Sequence, residues 1–174
     1  MIDKEELYLK LSNLKINFKI FNHPPLFTVD DSLKFRGNIQ GGHTKNLFLK
    51  NKKNNFYLFS CSENTLIDLK SISKSLNLGN ISFAKDEYLF EKLGLTRGSV
   101  SPFGLLNNID HSIKFFFDKN LLKEKFINFH PMINTSTVNL KICDFINFLI
   151  ENKKIISIYD FENYKLIEEY NGKN

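Results

Sequence analysis

A lysine flanked by two hydrogen-bonding side chains is the first feature of the sequence that could do chemistry. Thr44, Lys45 and Asn46 begin an apolar run that follows two glycines. An ammonium beside a hydroxyl and an amide can hold a phosphate or polarise a carbonyl group. The alternative is a solvated lysine at the end of a strand, since lysine usually lies at the surface. Local sequence leaves both interpretations open.

A loop bounded by glycine and proline is the second candidate. It contains Gly98, Ser99, Val100, Ser101 and Pro102. Glycine lets the backbone approach a ligand closely, and exposed amides could bind a carboxyl, carbonyl or amine. The alternative is an ordinary connecting loop, although loops carry binding residues more often than regular elements do.

His130 is the third candidate, because it follows a predicted strand and precedes Pro131. Imidazole can line a pocket or move a proton near neutral pH. The alternative is a packed, hydrogen-bonded histidine with no chemical role. His23 and His111 have less support, and His23 could simply begin the turn at Pro24 and Pro25.

Composition limits the class of protein to which these residues belong. The 174 residues are 42% hydrophobic and 25% charged, which is typical of one globular domain, and the net charge of +5 favours phosphate-rich partners. Two distant cysteines, Cys61 and Cys143, support neither a zinc site nor a disulfide framework. The first residues do not resemble a secretory signal, and no apolar run could span a membrane, so we expect a cytoplasmic protein with reduced thiols.

Two common catalytic patterns are missing from the sequence. The glycines between Gly37 and Gly42 have the spacing of a phosphate-binding loop, but His43 stands where that loop requires lysine. There is no G-x-S-x-G serine elbow, and neither cysteine has the setting of a nucleophile. Nucleotide binding of that kind and covalent catalysis are therefore disfavoured.

Periodicity predicts helices interleaved with short strands. Helices are expected at 4–14, 28–35, 66–76, 87–93 and 141–152, and strands at 18–21, 45–50, 56–61, 81–83, 113–117, 126–129 and 136–140. The two strands around the polar turn 51–55 form a predicted hairpin. This uneven order indicates one mixed α/β domain over residues 1–160, followed by an acidic tail at 161–174 that forms a helix or an edge strand.

Several short motifs occur in an order that resembles the YbaK/prolyl-tRNA synthetase editing-domain family, and most closely its free-standing deacylases. The matching segments are His23-Pro-Pro-Leu-Phe-Thr28, Gly42-His-Thr-Lys-Asn-Leu-Phe-Leu49, Ser82-Phe-Ala84, Leu93-Gly94, Gly98-Ser-Val-Ser-Pro-Phe-Gly104 and Phe129-His-Pro131. The likeness covers residues 7–149. It implies a single α/β domain with a mixed, mostly antiparallel, barrel-like sheet surrounded by helices.

The resemblance also implies an activity, which is the hydrolysis of alanine wrongly esterified to tRNA(Pro), without metal or cofactor. Other branches imply Cys-tRNA(Pro) or another small aminoacyl-tRNA as the substrate. A non-catalytic tRNA-binding or protein-binding relative is the alternative from another class. The aminoacylated acceptor end of tRNA(Pro) is the expected partner. A transient association with prolyl-tRNA synthetase or an elongation factor is compatible with this activity, and neither an obligate protein partner nor a membrane is expected.

Site residues follow from the resemblance by position. Lys45 is the expected catalytic residue, acting on a phosphate or on the ester carbonyl, with Thr44 and Asn46 beside it. The loop from Gly98 to Pro102 is expected to face the aminoacyl group. A pocket that excludes proline by size would be walled by Leu26, Phe27, His130 and Met132. The hairpin-turn lysines could track tRNA phosphates, or be solvated: Lys50, Lys52 and Lys53.

Overall fold

Nine strands form one sheet in the computed structural model, which describes residues 1–25, Lys34 and residues 39–172. The strands are β1 Phe18–Asn22, β2 Gly42–Asn51, β3 Phe56–Ser62, β4 Ile81–Phe83, β5 Ile113–Asp118, β6 Phe126–Phe129, β7 Ser136–Lys141, β8 Ile156–Asp160 and β9 Lys165–Tyr170. Within the described residues four α-helices flank them: α1 Lys4–Asn13, α2 Leu69–Ser75, α3 Asp86–Leu93 and α4 Ile142–Glu151. Two short 3-10 helices span Pro102–Asn107 and Lys119–Lys123.

The sheet is mixed and mostly antiparallel, in the order β1-β7-β6-β2-β3-β5-β8-β9, with β4 also paired to β2. Parallel pairs join β2 to β6, β3 to β5 and β5 to β8. The predicted single α/β domain with a mixed sheet and flanking helices is confirmed. Among the described strands β1 and β9 are not paired to each other, so backbone hydrogen bonds do not close the sheet.

Strands β3 and β8 are buried on both faces, as expected for strands in the middle of a covered sheet. Alternate side chains of β3 enter two separate cores: Leu58 packs into the larger one, and Phe59 into the smaller one. The larger core includes residues of α1 and α4, while Ile72 of α2 packs into the smaller one. This alternation assigns every residue of the β2–β3 hairpin to one face or the other.

Capping side chains set where α1 and α2 begin. Asp3 accepts hydrogen bonds from the backbone N–H groups of Glu5 and Glu6, and the Glu6 carboxylate completes a capping box. Asp68 accepts from the N–H groups of Lys70 and Ser71, so α2 begins at Leu69 rather than at Leu66 as predicted. The helix predicted at 28–35 lies, apart from Lys34, outside the described residues. None of the described helices is long and apolar enough to cross a membrane.

The C-terminal segment belongs to the sheet. Strand β9 pairs antiparallel with β8, and Phe161 in the turn between them is buried in the smaller core. Our boundary after Asp160 therefore falls inside a β-hairpin, and of the two structures expected for the acidic tail, the edge strand is the one that forms. Ile156 and Ile158 are buried in the larger core, and Tyr170 packs against it, which explains why this segment stays with the domain.

Candidate functional site

Thr44 and Asn46 leave the same face of β2 and form a short polar chain. The Ser60 hydroxyl on β3 donates to the side-chain oxygen of Asn46, whose amide lies 3.5 Å from the Thr44 hydroxyl. That hydroxyl donates to the backbone carbonyl of Asn128 on β6 at 3.0 Å. The chain links three neighbouring strands on the face that carries the larger core.

Lys45 leaves the opposite face of β2. Its ammonium donates to the backbone carbonyl of Thr65, and its neighbour across the hairpin is Cys61, a member of the smaller core. We expected the three side chains of this motif to emerge together, and this expectation was wrong. Lys45 lies within a regular strand rather than at its tip, so successive side chains must point to opposite faces.

A buried carboxylate supports the turn that receives Lys45. Asp118, at the end of β5, accepts a hydrogen bond from the Thr65 hydroxyl at 3.0 Å. It also accepts from the backbone N–H groups of Ser62 at 3.3 Å and Asn120 at 2.9 Å. Burial raises the pKa of the Cys61 thiol to about 12, despite the opposing charge of Lys45. Cys61 is therefore a neutral thiol and not a nucleophile.

The loop from Gly98 to Pro102 is held by its own side chains. Gly98 has a φ of +86°, in the region that favours glycine. The Ser99 hydroxyl donates to the carbonyl of Thr96 at 2.8 Å and accepts from its N–H at 3.1 Å. Ser101 caps the 3-10 helix that begins at Pro102. Both hydroxyls thus hold the loop in shape, and Val100 packs against the larger core.

Aromatic packing brings this loop next to the end of β6. The ring of Phe103, directly after Pro102, meets the ring of Phe129 edge-on, with 5.8 Å between centroids. Phe129 precedes His130, and Met132 belongs to the same core as Val100. The glycine loop, the histidine turn and the Thr44 face are therefore gathered around one end of β6.

His130 is held in one orientation. Its Nδ1 lies 2.9 Å from the carbonyl oxygen of Ser136, so Nδ1 carries the proton and Nε2 is left as an acceptor. Burial is the main cause that lowers the pKa of His130; the Ser136 carbonyl opposes it, and the nearby His23 adds to it. The ring is therefore neutral at neutral pH.

A model of a known protein family matches the part of the chain that carries this site. The model of the aminoacyl-tRNA editing domain matches residues 23–148, which is most of the chain. The chain belongs to this family. The match begins at His23 and includes the polar chain on β2, the glycine loop and the His130 turn.

Curated relatives and solved structures agree with this assignment. The chain is 35% identical over 142 residues to the prolyl-tRNA editing protein ProX of Acetoanaerobium sticklandii, covering 81% of this chain and 87% of that one. It is 34% identical over 152 residues to prolyl-tRNA synthetase associated domain-containing protein 1 of Mus musculus, covering 84% and 89%. A solved structure of a proposed trans-editing enzyme for prolyl tRNA synthetase has the same fold, with a TM-score of 0.68, 19% identity, and 95% and 96% of the two chains covered.

The lysines of the hairpin turn lie far from the rest of the candidate site in this editing domain. Six residues separate Thr44 from Lys50, which is about 20 Å along a strand. Lys50 donates to the Asn54 side chain at 2.7 Å and lies 5.0 Å from the centre of the Tyr88 ring. Lys52 and Lys53 are exposed. Their predicted contact with tRNA phosphates stays a prediction.

Sequence reasoning missed several residues that this editing domain places at the site. His23 stands beside His130, with 5.7 Å between ring centroids, although we gave it little weight. Thr65 accepts a hydrogen bond from the Lys45 ammonium, and Asp118 in turn holds the Thr65 hydroxyl. A polar residue at the end of a buried strand was the signal for Asp118. The predicted pocket walls Leu26 and Phe27 lie outside the described residues, whereas Met132 is 7% exposed.

Two observations concern other kinds of site. Within residues 1–25, Lys34 and 39–172, no group of three histidine, cysteine or acidic side chains could hold a metal ion. A cavity of about 370 Å³ lies at the other end of β5 and β8, lined by the Asn108 and Lys154 side chains and several apolar residues. It includes none of the predicted site residues.

Proposed function

We propose that this protein is a trans-editing deacylase that hydrolyses alanine from mischarged Ala-tRNA(Pro) in the cytoplasm. Membership of the aminoacyl-tRNA editing family supports an editing role, and the prolyl-tRNA editing relative supports tRNA(Pro) as the carrier. The choice of alanine as the amino acid that is removed rests on the resemblance of the motifs and on the size argument given below.

The reaction needs no protein nucleophile, because an aminoacyl ester is already activated. A water molecule adds to the ester carbonyl carbon, and the bond to the terminal ribose oxygen breaks. That oxygen takes up a proton, which releases free alanine and uncharged tRNA. Positioning the ester and stabilising the negative charge on its carbonyl oxygen are the tasks left to the protein.

The Lys45 ammonium is the observation that carries this proposal. It is half-buried, and the partner given above is a neutral carbonyl. Among the described residues no carboxylate forms an ion pair with it. A lysine with one donor used keeps two for an anion, so its charge is available to a phosphate or to the developing oxyanion.

Exclusion by size supports a small amino acid as the substrate. Hydrophobic pockets separate side chains that differ by a methylene only about 10-fold to 200-fold, so an editing site works best by rejecting the larger, correct amino acid. Met132 and Val100 pack in the core beside the glycine loop and His130. In this proposal they limit the space beside the glycine loop to alanine, so proline stays on its tRNA, and Lys45 acts on the substrate from the opposite face of β2.

Deacylation of three charged tRNAs tests the proposal. Purified protein is incubated with Ala-, Cys- and Pro-tRNA(Pro), alongside Lys45→Met and the control Lys165→Met, which changes an exposed lysine on β9. We expect wild type to release alanine rapidly and to leave Cys-tRNA(Pro) and Pro-tRNA(Pro) intact. Lys45→Met should abolish the release of alanine, and Lys165→Met should retain it. Release of cysteine instead of alanine would identify Cys-tRNA(Pro) as the substrate. Salt-dependent tRNA binding without any turnover would favour the non-catalytic alternative.

A further inference from the structure

Asp118 is a fully buried carboxylate, and two of its three partners belong to the turn that receives Lys45. It is 0% exposed and accepts hydrogen bonds from the Thr65 hydroxyl and from the N–H groups of Ser62 and Asn120. No described lysine or arginine forms an ion pair with it. The Asn120 bond caps the 3-10 helix Lys119–Lys123, but a buried charge held by hydrogen bonds is costly, so the two bonds to the Ser62–Thr65 turn call for an explanation.

Two of the three hydrogen bonds fix the turn that follows β3. Ser62 and Thr65 bracket this turn, and the N–H of Thr65 donates to the carbonyl of Ser62 at 3.0 Å. Glu63 N–H donates to the carbonyl of His43 at 2.9 Å, which ties the same turn to β2. The turn is therefore clamped between β2 and β5, with Asp118 on one side.

The third element of the arrangement is the Thr65 carbonyl, which accepts from the Lys45 ammonium. Thr65 thus touches Asp118 with its hydroxyl and Lys45 with its carbonyl. The negative charge of Asp118 lies one residue away from the positive charge of Lys45, and both act on the Cys61 thiol between them. This indirect pairing holds the ammonium in place without occupying all its N–H donors. In a direct ion pair, the carboxylate would compete with the substrate for those donors.

The chemistry of the site requires a carboxylate rather than an amide. All three partners of Asp118 are donors. Asparagine has one acceptor oxygen, and its NH₂ group would face an N–H or a hydroxyl that needs an acceptor.

We propose that Asp118 is a positioning residue for Lys45, acting through Thr65. This inference rests on the proposed function for its catalytic consequence, but the positioning itself is a property of the free protein. Asp118 and Thr65 do not touch the substrate; they determine where the Lys45 ammonium stands when the substrate arrives.

The first test measures the position of Lys45 without any substrate. The rate at which an amine-reactive acetylating reagent modifies Lys45 is followed by mass spectrometry in wild type, Thr65→Val, Thr65→Ser and Asp118→Asn. We expect Lys45 to react about threefold to fivefold faster in Thr65→Val and Asp118→Asn, since losing one hydrogen bond has an effect of this size. Thr65→Ser keeps the hydroxyl and should behave as wild type. Exposed Lys165 is the internal reference.

The second test measures turnover of Ala-tRNA(Pro). We expect Thr65→Val to lower kcat about tenfold with KM unchanged, because a displaced ammonium stabilises the transition state less well. Thr65→Ser should retain wild-type kcat. Thr135→Val, which changes another threonine at an exposed position, is the control for loss of a hydroxyl. Thermal unfolding of each variant separates a misfolded Asp118→Asn protein from a folded, impaired one.

The outcomes distinguish the two proposals. Equal modification of Lys45 in wild type, Thr65→Val and folded Asp118→Asn overturns the positioning role, whatever the activity. Faster modification supports it even if wild type hydrolyses none of the charged tRNAs, a result that would overturn only the proposed function. If Thr65→Ser matches Thr65→Val both in Lys45 modification and in kcat, the Thr65 hydroxyl does not connect Asp118 to Lys45, and the inference is wrong.

Discussion

The imidazole rings of His23 and His130 stand 5.7 Å apart, and both are anchored on the first two residues of β7. His23 bonds to the Thr137 hydroxyl at 3.0 Å, and His130 donates to the Ser136 carbonyl. Charge on the His23 ring opposes a proton on His130, which contributes to the lowered pKa of His130. The pair joins the first motif of the editing family to its last one.

Stability should fall on acidification because of His130. Burial and His23 hold its folded-state pKa below 6.5, so between the two values the unfolded chain binds more protons than the folded one. The free energy of unfolding therefore rises with pH between these two pKa values. On acidification, the contribution of His130 is fully lost once the pH is below the folded-state pKa. We expect wild type to lose more stability between pH 7 and pH 5 than His130→Gln, measured by urea unfolding. His111→Gln, at an exposed position, should keep the wild-type slope.

Replacing Gly41 should destabilise the junction between β2 and β6. Its φ is +96°, and a Cβ there would lie 2.3 Å from the carbonyl oxygen of Phe126. The backbone strain and the clash together predict that Gly41→Ala lowers the free energy of unfolding by about 3 kcal/mol. Gly79 has a φ of +73° with nothing within 4 Å of a Cβ, so Gly79→Ala should cost only about 1 kcal/mol. Equal unfolding free energies for the two variants would contradict the role of the clash.

Asp160 should be essential for the β8–β9 hairpin. Its carboxylate accepts from the N–H groups of Glu162 and Asn163 and pairs with Lys119 at 2.5 Å. Burial alone would raise its pKa, but these partners hold it well below the usual range, so the stabilisation is present at neutral pH and is lost as pH falls. We expect Asp160→Ala to lower the unfolding free energy by about 3 kcal/mol at pH 7. Glu168→Ala on exposed β9 is the control, and a similar loss there would show that the effect is not specific to the turn.

The two cysteines should differ in reactivity. Burial raises the pKa of Cys61 to about 12, while Cys143 is exposed on α4. Iodoacetamide should therefore label Cys143 in the folded protein and leave Cys61 unmodified, with both labelled in urea. Rapid labelling of Cys61 in the native state would mean that the smaller core opens, or that its thiol is activated.

The turn lysines should contribute to tRNA affinity but not to chemistry. If Lys52 and Lys53 each contact a phosphate, the double substitution Lys52→Gln/Lys53→Gln should reduce the slope of log K against log salt by about 1 to 2. The kcat for bound Ala-tRNA(Pro) should stay unchanged, because these side chains are about 20 Å or more along the hairpin from Thr44. Lys165→Gln on β9 provides the matched control. An unchanged slope would show that the turn is simply solvated.

Local patterns in the sequence determined most of the secondary structure and the identity of the motifs. Two apolar runs around a polar turn are enough to predict the β2–β3 hairpin, and the start of α2 differed only because Asp68 supplies a nearer cap. These features depend on residues a few positions apart, which is the range over which periodicity and capping act.

Tertiary structure alone decided how the site is assembled. The face from which Lys45 emerges depends on the register of β2 with β3 and with β6, and β6 lies far away in the chain. Distant segments also supply Thr65 to Lys45, Asp118 to Thr65, and His23 to His130. A single sequence identifies side chains able to do chemistry, but their contacts arise from non-local strand pairing and burial on two faces, which no local pattern encodes.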